Sequence, residues 1–110
     1  MVASGRVRDA YSEYVHANFR HHNAYFRGDR ESLMLAMEEN AAQSPNKTLE
    51  IKLTLEEGDL VANYSHVRQN PQDLGAALVH IFRFEGDRIV ELWDIGQAIP
   101  ENSPNENGMF

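Results

Sequence analysis

The chain has 110 residues, 42% of them hydrophobic and 25% charged, with 17 acidic against 10 basic side chains and no cysteine. That length makes one domain able to bury about two-thirds of its unfolded surface, and the missing cysteines exclude disulfides, thiolate nucleophiles and Cys-ligated metal clusters. A formal net charge of −7 with scattered basic residues argues against nucleic acid as a partner, while apolar runs as short as Ala76–Val79 and no secretory stretch at Met1–Gly5 lead us to expect a cytoplasmic protein with no membrane partner.

Val7, Ala10, Tyr11, Tyr14 and Val15 fall at the spacing that lines one face of a helix, so a first helix of about three turns is expected there. From His16 to Asn23 the period fails and aromatic and histidine residues crowd together, which suits a short strand or an irregular segment. Gly28-Asp29 reads as a stop followed by an N-cap, because the aspartate can accept from the free amides of a first turn. A second helix then runs from Arg30 to about Gln43, with Leu33, Met34, Met37 and Ala41 inward, and ends at Ser44-Pro45-Asn46.

Beyond Thr48 the period changes to two. Leu49, Ile51, Leu53 and Leu55 alternate with Thr48, Glu50, Lys52 and Thr54, which predicts a strand with one wet face. Further strands are expected over 60–68, 76–84 and 88–95. Gly86-Asp87 closes the last hairpin, where a glycine in first place fits a type II′ turn. Residues 99–110, rich in Asn, Glu and Pro, read as a C-terminal tail to a single domain spanning 1–110.

Two helices followed by antiparallel strands make an α+β layer arrangement. The last two strands carry apolar residues on both faces, and helices cover one face only, so a homodimer pairing through the sheet is expected to cover the other.

Five histidines and one aspartate carry the candidate chemistry. Asp94 interrupts the apolar strand Ile89–Ile95, and a carboxyl in an apolar pocket is expected to have a raised pKa useful for proton transfer. His66, also within a strand, could serve as a second acid or base, or as a donor to an enolate; a satisfied core histidine is the alternative. Counting back through a two-residue turn at Gly86-Asp87 pairs His80 with Trp93, which would put His80 on the face opposite Asp94; a bulge would reverse this. Tyr14 could point a phenol into a pocket, though packing is its simpler use. No metal site is expected, since the adjacent His21 and His22 would point to opposite sides of an extended segment. No phosphate-binding glycine loop and no Gly-x-Ser-x-Gly elbow occurs.

The segment from Ala76 to Gln97, with Phe19-Arg20-His21-His22-Asn23, Gly58 to Val67 and the Asn-rich tail, resembles SnoaL-like polyketide cyclases of the nuclear transport factor 2-like superfamily. The resemblance implies a cone-shaped α+β barrel, a curved antiparallel sheet packed on helices around a pocket, and pairing as a dimer. It implies cofactor-independent proton transfer in aldol cyclisation or isomerisation of a small enolisable carbonyl compound. Carried onto this sequence, it points to Asp94 and His66 as catalytic and to His22 and Asn23 as substrate-binding; Tyr14 and Trp93 join the candidate substrate contacts. In such relatives the position of Leu92 often holds His and that of His80 often Asp. The competing expectation is a non-catalytic small-molecule binding module on the same fold. A tail inserting into its own or a partner's pocket is a further possibility beside simple disorder.

Overall fold

The computed structural model describes residues 4–110. In chain order it comprises helix α1 (Ser4–Tyr14), strand β1 (Val15–His21), helix α2 (Arg30–Gln43), and strands β2 (Thr48–Glu57), β3 (Leu60–Arg68), β4 (Ala76–Glu85) and β5 (Arg88–Ala98). The strands form one sheet in the order β1-β5-β4-β3-β2. Four of them make an antiparallel meander, but β1 runs parallel to β5, so the expected all-antiparallel sheet is in fact mixed. The parallel pairing follows from the intervening chain, since a strand placed before α2 returns to the sheet through a long crossover rather than a hairpin.

The helical period of α1 extends no further than Tyr14. Val15, expected to close the helix stripe, instead begins β1 opposite Ile89, a position that suits its β-branched side chain. Val7, Tyr11, Val15, Phe19, Leu33, Met34 and Leu92 form the core, with Phe82 and Ile89 packed against it. Each large aliphatic side chain in it contributes about 2 kcal/mol by leaving water. The start of α2 is as the sequence suggests. Asp29 accepts from the Ser32 amide at 2.9 Å and from its hydroxyl at 2.7 Å, and the Ser44 amide closes the other end on the Asn40 carbonyl.

Two bulges set which side chains share a face. Between Ile51 and Leu53 the pairing with β3 slips by one residue, so Leu49 and Ile51 lie on the helix side and Leu53 and Leu55 on the outer side. An extra residue in a strand inverts its alternation, and the single wet face expected for β2 is therefore lost. The second slip lies in β5, where Arg83 pairs with Glu91 but Phe84 with Ile89, leaving Val90 as the extra residue. At the hairpin itself Gly86 has φ +65° and, among the described residues, no non-glycine residue is left-handed, which excludes a type I′ turn, since that turn needs both central residues left-handed.

The outer face keeps apolar side chains in water: Leu53 is 62% exposed, Leu55 71% and Ile95 63%. Beside them Glu91, itself buried, is held by His22 at 2.6 Å, Arg20 at 3.1 Å and Arg83 at 3.0 Å. The hydrogen bond from His22, helped by the two guanidinium groups, outweighs burial and brings the Glu91 carboxyl down to about 2.

The tail is neither a plug in the helix-side cavity nor loose chain. Ile99 donates its amide to the Gly75 carbonyl at 3.0 Å, Tyr64 bonds the Met109 carbonyl through its hydroxyl, and the Phe110 ring lies 4.7 Å from that of His66 and 5.4 Å from that of Tyr64. The tail thus folds back over the outer face.

Candidate functional site

The bulge at Val90 decides the chemistry of the helix side. It places Asp94 opposite His80, and Asn63 next across on β3, whereas an unbulged hairpin would put Trp93 there. His80 Nε2 lies 3.1 Å from Asp94 Oδ1, with each side chain one-fifth exposed. The reading that sent His80 to the opposite face is thereby reversed, by the bulge that the register count lacked.

Asn23 reaches the same carboxylate from the segment after β1, donating Nδ2 to Asp94 Oδ2 at 2.7 Å. Its orientation is fixed twice. The Asn23 side-chain oxygen accepts from the Tyr25 amide at 3.0 Å, so the NH2 end must face Asp94, and its own backbone amide donates to His21 Nδ1 at 3.1 Å. His21 is 4% exposed and acts here as a positioning residue.

Asn23 and Asp94 open on a cavity of about 230 Å³ that they line together with Phe26, Leu33, Met37, Asn40 and Lys47. A second cavity of about 310 Å³, almost wholly apolar, lies between α1 and the sheet beside Tyr11, Tyr14, Phe19, Phe82 and Leu92. Met37 lines both. Its sulfur accepts from the Tyr11 hydroxyl at 3.3 Å, and burial pushes that phenol up to about 12. Met37, expected as plain core, is instead shared between the walls of a polar-ended and an apolar chamber.

The Asp94 carboxyl is not raised as expected. Burial does push it up, but the hydrogen bond and charge of His80 and the Asn23 amide together hold it below the ordinary aspartate value. Replacing His80 with Ala should let burial dominate and move the carboxyl to higher pH. A base works ionised, so its activity falls as pH drops through its pKa, and the acid limb should move upward with it. A carbon-13 NMR titration of the Asp94 carboxyl reads this without turnover; an unchanged midpoint would show that His80 does not hold it.

Of the residues singled out in the sequence, the structure brings together Asp94 and Asn23. His66 is not with them. It faces the outer side between Glu50 and Ala77, three residues from Asn63 and so of opposite parity, with its Nε2 2.8 Å from the Leu74 carbonyl. His22 and Trp93 also face outward, stacked at 5.1 Å, and Tyr14 borders the apolar chamber, 56% exposed. Among the described residues no group of three or more His, Asp or Glu side chains is placed to hold a metal. Sequence reasoning passed over Lys47 and Asn40; Asn40 reaches the cavity from the last turn of α2 and Lys47 from the turn that follows it.

The model of the SnoaL-like polyketide cyclase family matches residues 2–100. The chain belongs to that family. Among solved structures, the SnoaL-like fold is shared with a loop-truncation variant of IdmH, at 21% identity over 86% of this chain and 83% of that one, TM-score 0.71. A SnoaL-like protein of unknown function from Burkholderia thailandensis matches at 16% identity over 86% and 84%, TM-score 0.70. An uncharacterised cystatin-fold protein from Novosphingobium aromaticivorans matches at 20% identity over 86% and 99%, TM-score 0.65. No curated protein matches this sequence. Likeness at these identities establishes the architecture; the reaction has to be argued from the site. For the compartment, the structure has no helix long and apolar enough to cross a membrane among the described residues.

Proposed function

We propose that this SnoaL-like protein is a cofactor-independent proton-transfer enzyme, catalysing aldol cyclisation or isomerisation of a small enolisable carbonyl compound. The observation that carries the proposal is the Asp94 carboxylate at the cavity wall, oriented through one oxygen by His80 and through the other by Asn23. Two donors leave each oxygen a free lone pair. One of these takes the proton α to the carbonyl, the electron pair moves into the enolate, and the proton returns to carbon or oxygen when the new bond has formed. His80 replaces His66 as the partner histidine in this reading. The apolar chamber beyond Met37 would take the body of the substrate.

A second reading is favoured by one feature of the same site. Asp94 held below its ordinary pKa is a weaker base, which suits a binding module that only orients its ligand. Deuterium uptake from D2O into a panel of enolisable ketones, followed by NMR, separates the two. Exchange above buffer supports the enzyme, and its absence across cyclic and acyclic ketones that demonstrably bind would leave the binding module.

The exposed outer face, with Leu53, Leu55 and Ile95, is in the same proposal where a second copy pairs. Sedimentation as a monomer at tens of micromolar would overturn that part.

A further inference from the structure

We propose that Lys47 is the group that receives the anionic oxygen of the ligand in the cavity, so that the protein selects compounds presenting an enolate-like or phenolate-like oxygen there. This rests on the proton-transfer reading but depends on separate atoms. Lys47 leaves the turn after α2, anchored by its own amide on the Ser44 carbonyl at 3.2 Å, and its ammonium donates to Asn40 Oδ1. Asn40 is in turn oriented by donating Nδ2 to Gln69 Oε1 at 3.2 Å, so a relay from the end of β3 through α2 fixes where the ammonium sits. It lines the cavity with Asp94 and Asn23.

An ammonium carries three N–H donors. Its partner among the described residues is a neutral amide, and the carboxylate it senses, Asp94, is already bonded by His80 and Asn23. Burial lowers the Lys47 pKa against the pull of Asp94, as befits a partly desolvated cation, and among the described residues no carboxylate is in salt-bridge contact with it. When Asp94 takes a proton, its negative charge disappears and an equal charge appears on the ligand's oxygen. Lys47 then exchanges a neutralised neighbour for an anion in contact, an interaction stronger after proton transfer than before it, which is what lowers a barrier. Val7, Phe26, Leu33, Ala36 and Met37 supply the apolar wall that keeps the interaction from being diluted by water.

The test uses 4-nitrophenol, whose ionised form absorbs in the visible, with the Asp94→Asn protein, because a neutral amide stands in for the protonated carboxyl. Bound to that protein, 4-nitrophenol should ionise at lower pH than in buffer, with at least a tenfold preference for phenolate. Adding Lys47→Met should abolish the preference, and adding Lys47→Arg should keep most of it; Lys47→Gln substitutes if Lys47→Met loses its circular dichroism signature. An undiminished preference in the Lys47→Met protein overturns the inference, as does a Lys47-containing protein that shows no phenolate preference. The two proposals fail separately. Lys47-dependent phenolate binding without ketone exchange removes the enzyme and keeps the oxyanion site, whereas Asp94-dependent exchange without phenolate selection does the reverse.

Discussion

Asp94→Asn should lower the rate of proton exchange into an active ketone at least a hundredfold while leaving ligand affinity within a few-fold. General-base catalysis by a placed side chain is worth roughly a hundred- to ten-thousandfold, and an amide has no basic lone pair to replace it. The fold should survive the change. The Asn23 NH2 group cannot flip, since its oxygen is held by the Tyr25 amide, so the oxygen of the introduced amide must face Asn23 and its nitrogen must face His80. The imidazole accommodates this by carrying its proton on Nδ1 and accepting at Nε2, and the stability cost should stay near 1 kcal/mol. Parallel loss of binding and exchange would mean that Asp94 holds the ligand rather than reacts with it. Undiminished exchange would place the base elsewhere.

Gly75→Ala should be the most damaging small substitution outside the site. Gly75 has φ +86°, and a Cβ there would stand 2.0 Å from the Val67 carbonyl oxygen, 2.9 Å from His66 Nε2 and 3.0 Å from Arg68 Cγ. The nearest of these is backbone, in the ladder where Val67 pairs with Ala76. Left-handed backbone costs alanine about 1 kcal/mol, and relief of the clash must break or shift the start of the β3–β4 pairing, for a total of roughly 3 kcal/mol or more. At about 4–8 °C per kcal/mol for a domain of this size, the melting temperature should fall by more than about 10 °C. Gly86→Ala is the control. Its φ is +65° and nothing lies within 4 Å of the added carbon, so only the backbone penalty applies. Equal losses for the two, read by thermal circular dichroism, would show that the close approach at Gly75 is relieved without consequence.

What the sequence reveals of this fold is what depends on local chemistry. The Asp29 cap, the ends of α2 at Arg30 and Gln43 and the bounds of β3 follow from capping groups, proline and alternation, and the structure keeps them. The strands β2, β4 and β5 are legible too, but which residues share their faces is not. A bulge at Lys52 leaves Leu53 on the side opposite Ile51, and a bulge at Val90 exchanges Trp93 for Asp94 opposite His80. Neither has a glycine or proline to announce it. In the site, Asp94 and Asn23 could be picked out because a carboxyl amid apolar residues and a family element mark them. His66 and His80 could not be told apart, since both sit mid-strand and only parity separates them. Lys47 gave no signal, for a lysine after a helix-ending Ser-Pro-Asn turn is an ordinary surface residue until Asn40 and Gln69 are seen to hold it.

The extra residue in β5 lies four positions before Asp94 and lines neither cavity. Taking that residue into the regular ladder would substitute no acid, base or amide, yet it would set Trp93 across from His80, whereas deleting it would leave His80 facing Asp94. In a lineage of such proteins, then, a gap of one residue beside the last turn can leave the active-site composition as it was. A comparison that counts positions from the turn and passes over the bulge would assign two such sequences different sites when they share one.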